Sequence, residues 1–121
     1  MTAHPQVALV QALLDAKPAA VAEPARIKGV FLYKLAGKMF AILSTRADAA
    51  VSLKCDPVLA ETLRETHAGV GHRYHLDRRH WISVDLDGGL EDDLLEQLVA
   101  GSYDLVRGSL TKAQRTALDG D

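Results

Sequence analysis

The spacing of apolar positions changes along the chain, and each change marks an element. After Pro5, a residue tolerated in a first helical turn, Val7, Leu9, Val10, Leu13 and Leu14 recur at helical spacing and predict a helix from about Pro5 to Ala16. Lys17-Pro18 ends it, because a residue before proline is driven out of the helical region. From Val30 the spacing becomes that of strands: Val30 to Leu35, then Ala36-Gly37, then Lys38 to Leu43, a two-residue β-hairpin. That turn sets Tyr33 opposite Phe40 and Phe31 opposite Ile42 on one side, with Leu32 opposite Ala41 and Val30 opposite Leu43 on the other. Both faces are apolar near the middle, which suits a central hairpin with helices on one face and partial cover on the other. Val21 to Lys28 offers a further strand, which Glu23-Pro24 weakens.

Ala50 to Lys54 alternates as a short strand, and Asp56-Pro57 then supplies an N-cap and a first helical residue for Val58 to Thr66, so Lys54 lies at a strand end. His67 to Gly71 reads as a loop. Arg73-Tyr74-His75 and His80 to Leu86 form a second hairpin through Leu76-Asp77-Arg78-Arg79, with Ile82, Val84 and Leu86 facing the core beside His80, and Trp81, Ser83 and Asp85 opposite. Asp87-Gly88-Gly89 leads into the longest helix, about Leu90 to Arg107, with an apolar stripe of Leu94, Leu95, Leu98, Val99, Leu105 and Val106. Its first turn holds Glu91, Asp92 and Asp93, and Gly108 is the expected C-terminal cap. Ser102-Tyr103-Asp104 fall on its polar side, and Gly101, unfavourable inside a helix, implies close approach by another element. Thr111 and Gln114 have capping-box spacing and open a last helix to Leu118. The elements together predict an α+β two-layer sandwich. A twisted antiparallel sheet of about five strands carries helices on one face, in the order α-β3-α-β2-α, as a single domain over 1–121.

A chain of 121 residues, 48% hydrophobic and 25% charged, can build one core without disulfides or metals. The lone Cys55 excludes an internal disulfide and a multi-thiolate metal site, and suits a reducing, cytoplasmic location. No basic start precedes the first apolar stretch and no run reaches membrane-spanning length, so neither a secretory signal nor a membrane is expected. Fourteen basic against sixteen acidic residues give a net charge of −2. Binding to nucleic acid would therefore need a local basic patch.

One segment offers such a patch. His72 to Trp81 packs three arginines, three histidines and two aromatics into ten positions. Arginine forks suit phosphate oxygens and aromatic faces suit bases, while a solvated turn with locally paired arginines accounts for the same residues. His72, His75, Asp77 and His80 contain metal-ligand types, but alternation sends His72 and His75 to opposite faces, so no metal or cofactor is expected. Cys55 is either a helix-start thiol of lowered pKa or a buried inert one. Lys38 and Lys54 at strand ends reach a phosphate at the sheet rim or snorkel to water. Ser102 and Tyr103 either face a ligand or bond the sheet. With no triad, phosphate-cradling loop or zinc-finger spacing, no catalytic residue is assigned and no enzyme is expected.

Gly37-Lys38-Met39-Phe40-Ala41, Leu53-Lys54, Tyr74-His75-Leu76, Arg79-His80-Trp81-Ile82-Ser83-Val84 and Ser102-Tyr103-Asp104-Leu105-Val106 resemble the MmcQ/YjbR family in order and spacing over nearly the whole chain. The resemblance implies a fold similar to type III secretion chaperones, a DNA-binding label and two hairpins likened to a double wing. By motif, Lys38, Lys54, Tyr74, His75, Arg79, His80, Trp81, Ser102 and Tyr103 would form the shared polar and aromatic set. Ala36 departs from a common Gly-Gly turn, and Asp77 stands where Asn is frequent. The leading expectation is a non-catalytic module, monomeric or homodimeric, that binds DNA weakly and salt-sensitively. Lys38, Lys54, Arg73, Tyr74, His75, Arg78, Arg79, His80 and Trp81 would make the contact. The alternatives are a protein or peptide adaptor using a sheet face or edge, and a small-anion binder or enzyme using His75, His80 and Tyr103.

Overall fold

The computed structural model describes residues 5–72, 76–87 and 89–119. Helix α1 (Pro5–Asp15) leads into four strands, β1 (Val21–Pro24), β2 (Val30–Leu35), β3 (Lys38–Ser44) and β4 (Ala50–Lys54). Helix α2 (Pro57–Thr66) follows, then β5 (Val70–Gly71), β6 (Trp81–Asp85), α3 (Asp92–Ser109) and α4 (Lys112–Asp119). The strands form one antiparallel sheet in the order β1-β2-β3-β4-β6-β5. Six strands replace the expected five or so, because Val21–Pro24 pairs with β2 as an exposed edge, where Pro24 sits at the strand end.

The register explains where the core lies. Tyr33, Ala41, Leu53 and Ile82 pair in one row across the sheet, and Phe31, Leu43, Val51, Val84 and Val70 in the next. Both rows join one cluster with Val10 and Leu14 of α1, Ala60 and Leu63 of α2, and Leu95, Leu98, Val99 and Val106 of α3, so the helices share one face. On the reverse face Ile42, Ser52 and Trp81 are also buried, so the central strands are screened from both sides. Among the described residues, no helix is long and apolar enough to cross a membrane.

Local signals fold as read. Asp56 caps α2 by accepting from Leu59 N–H (3.1 Å), with Pro57 in the first turn. Thr111 and Gln114 bond reciprocally, Thr111 N–H to Gln114 Oε1 at 2.9 Å and Gln114 N–H to Thr111 Oγ1 at 3.1 Å.

The departures have tertiary causes. In the first hairpin Ala36 and Gly37 both take positive φ (51° and 81°), so alanine adopts the conformation that a Gly-Gly turn would take more easily. A bulge next to the turn then shifts the register, pairing Tyr33 with Ala41 and Phe31 with Leu43 instead of Phe40 and Ile42. The second hairpin pairs Val70–Gly71, read as loop, with Val84–Ser83; the expected strand Arg73–His75 lies outside the described residues. Helix α3 starts at Asp92, after a connection in which Leu86 and Leu90 are buried, and runs through Gly108 to a cap at Leu110. Its buried side includes Ser102 and Tyr103, while Leu105 is 46% exposed, the reverse of the polar and apolar assignment expected from spacing.

Candidate nucleic-acid interface

Three segments meet at one end of the sheet. Lys54 closes β4 opposite Trp81, which opens β6, and the pairing continues one step further as Cys55 N–H donates to the His80 carbonyl at 2.8 Å. The 77–80 turn is thereby fixed against the start of α2. Asp77 organises the turn: Oδ1 accepts from Arg79 N–H (2.9 Å), Oδ2 lies 2.7 Å from His80 Nδ1, and its carbonyl accepts from His80 N–H (3.1 Å). The hydrogen bonds from His80 and from Arg79 N–H hold the Asp77 carboxyl below its usual range. Its charge shapes the turn while Arg78 and Arg79 remain exposed. His80, expected beside the core, keeps 48% of its side chain in solvent because it belongs to this turn instead of the strand.

Arg78 and Arg79 line a shallow groove of about 320 Å³ with Arg64 of α2 and with Pro57, Val58 and Glu61. Arg64 Nη1 also reaches the Trp81 carbonyl at 3.5 Å. Among the described residues the ion pairs are Lys34–Glu23, His80–Asp77 and Arg107–Asp119, so none of these three guanidinium groups is in one. Sequence reasoning missed Arg64. Its position in the last turn of α2 is explained by the helix dipole alone, and only the packing of α2 against β6 brings it to the turn.

The two lysines lie at the same sheet end without joining the arginines in one stripe. Lys54 is half-buried and borders a small groove with His80, Asp56 and Leu105. Lys38 Nζ sits 3.5 Å from both the Ser109 carbonyl and its hydroxyl, at the negative end of α3. Ser109 is seven residues beyond Ser102, which meets Lys54, so by helical rise Lys38 stands about 10 Å further along α3. Asp56 and Asp104 share a groove with Lys54, and Glu61 shares the arginine groove. The expected contact residues therefore divide into a compact arginine cluster with Lys54 and His80 beside it, and Lys38 docked elsewhere.

The remaining candidates are internal or outside the described residues. Trp81, named above among the contact residues, is only 8% exposed. Ser102 Oγ donates to the Phe40 carbonyl (2.5 Å) and accepts from Lys54 N–H (2.9 Å), which ties α3 to the bulge and to the end of β4. The Tyr103 hydroxyl donates to the Pro18 carbonyl (2.6 Å), and its ring meets Phe40 edge-on at 5.4 Å. Both side chains thus bond the fold instead of presenting a ligand face. His72 Nε2 lies 2.7 Å from the Leu76 carbonyl, and burial followed by Asp56 pushes the Cys55 thiol up, away from nucleophile behaviour. Arg73, Tyr74 and His75 lie outside the described residues.

A second, apolar groove of about 350 Å³ opens between α2 and α3, walled by Leu59, Leu98 and Leu105. Gly101 lines it, and a Cβ built there would meet nothing within 4 Å. Among the described residues no element approaches this glycine, contrary to expectation; its missing side chain leaves the groove open.

A family model described as YjbR matches residues 14–105. The uncharacterized protein YjbR of Escherichia coli K12 is 44% identical over 69 residues, covering 57% of this chain and 58% of the relative's length. The uncharacterized protein YbdF of Escherichia coli O157:H7 is 30% identical over 82 residues, 67% of each chain. The crystal structure of the Deinococcus radiodurans protein DR2400, with a DUF419 domain, superposes with a TM-score of 0.86 at 31% identity, covering 93% of this chain and 87% of that one. A Pseudomonas syringae protein shares the fold, with a TM-score of 0.66 at 22% identity over 78% of this chain and 96% of its own.

Proposed function

Since the chain belongs to the YjbR family, whose matched Escherichia coli members are named as uncharacterized, we propose from its own geometry that it is a nucleic-acid-binding module. The observation that carries the reading is the convergence of Arg64, Arg78 and Arg79 on one groove containing a single carboxylate, Glu61. Guanidinium forks match phosphate oxygens in pairs, and a turn braced by Asp77 presents Arg78 and Arg79 with little loss of backbone freedom on binding. Lys54 and His80 extend the footprint beside the cluster.

The net charge of −2 and the neighbouring carboxylates keep the interaction weak and short-ranged. Contacts of this kind position a phosphate backbone without reading sequence. The module acts by binding, with no catalytic step assigned to any side chain. A salt titration of a labelled single strand and of a duplex tests the proposal. The Arg78→Ala/Arg79→Ala double variant is expected to reduce the slope of log affinity against log salt by about 2, roughly one for each lost phosphate contact. An unaltered slope would remove the arginine groove from the account.

A further inference from the structure

The apolar groove between α2 and α3 is not explained by phosphate binding. Its lining is mainly aliphatic, with no aromatic plane for a base, and on its border the exposed carboxylates of Asp56 and Asp104 outnumber the single ammonium of Lys54. Leu59 and Leu105 are 43% and 46% exposed, and both line this opening. Gly101 has no turn to make and no neighbour to avoid, so its effect is to deepen the groove at a cost in helix propensity. Asp104 is in no ion pair among the described residues.

We propose that this groove is a docking site for a peptide segment of a partner protein that presents an aliphatic anchor flanked by Lys or Arg. The start of α2 and one face of α3 line the opening, which leaves room for an amphipathic helix with anchors spaced at i and i+3 or i+4. Two border carboxylates against one ammonium, Lys54, favour a basic flank on the partner segment. The site is independent of the arginine groove, and its test is independent of the salt titration.

The test selects a displayed library of random twelve-residue peptides against the intact chain, with counter-selection against Gly101→Met. Methionine fills the groove and raises helix propensity, so the blocked chain stays folded. Enriched peptides are expected to carry Leu, Ile or Met beside Lys or Arg. The best of them, synthesised and titrated, should bind Gly101→Met and Asp104→Lys at least tenfold more weakly, and Arg78→Ala/Arg79→Ala unchanged. Three results would overturn the proposal: no enrichment over the blocked chain, equal binding to Gly101→Met, or oligonucleotide affinity that falls with Gly101→Met. A dimer that Gly101→Met converts to monomer would assign the groove to a second copy instead.

Discussion

The grooves on either side of the first turn of α2 differ in what it costs the fold to present them. On one side Arg64, Arg78 and Arg79 lie on the surface, where most substitutions alter stability little. On the other, Leu59 and Leu105 stay in water and Gly101 occupies a helix interior at a penalty of about 0.8–1.0 kcal/mol relative to alanine. A cationic surface can persist for solubility alone. An open glycine between exposed leucines withholds stability that the same backbone would accept, and so argues more strongly for an occupant.

The largest effect should come from the contact that ties α3, one side of the apolar groove, to the sheet. Ser102→Ala leaves the Phe40 carbonyl and the Lys54 N–H without their buried partner, and is expected to destabilise by about 2–4 kcal/mol in chemical denaturation. A change below about 0.5 kcal/mol would mean that the hydroxyl does not hold α3 in register with the sheet. Gly101→Ala should act in the opposite sense, raising stability by about 0.8–1.0 kcal/mol, while Arg78→Ala/Arg79→Ala stays within about 0.5 kcal/mol of the parent. If Gly101→Ala destabilises, the space beside it is not open and the contrast between the grooves collapses.

The smallest effect concerns Cys55, which borders the apolar groove. Burial raises its folded-state pKa above the ordinary value of 9.0, so its contribution to stability is complete below that value and is lost as pH rises through the raised one. Alkylation near pH 8 should accordingly run slower in the folded chain than in the unfolded chain, with an alkaline loss of stability that Cys55→Ala removes. Equal alkylation rates would place the thiol in solvent.

Elements decided by neighbours in sequence were legible beforehand: α1, the Ala36-Gly37 turn, the Asp56-Pro57 start of α2 and the Thr111–Gln114 cap. The bulge at Phe40 was not, because the hydroxyl that takes up its carbonyl arrives from a residue 62 positions away. The inward turn of Ser102 and Tyr103 had the same origin. Their hydroxyls satisfy backbone groups of the sheet and of Pro18, so a polar residue type did not mean a solvent-facing position. Of the candidate site, the Asp77–His80 turn was visible as a charge cluster. Arg64 and the apolar groove depend on how α2 meets β6 and α3, which no local pattern encodes.

The most direct test is the affinity of a labelled single strand for the Arg78→Glu/Arg79→Glu chain at low salt, compared beside Gly101→Met. Charge reversal should weaken binding by about 100-fold or more, from two lost phosphate contacts and added repulsion, with Gly101→Met at parental affinity. Binding that survives the reversal, or that falls equally in both variants, would contradict a phosphate-binding arginine groove distinct from its apolar neighbour.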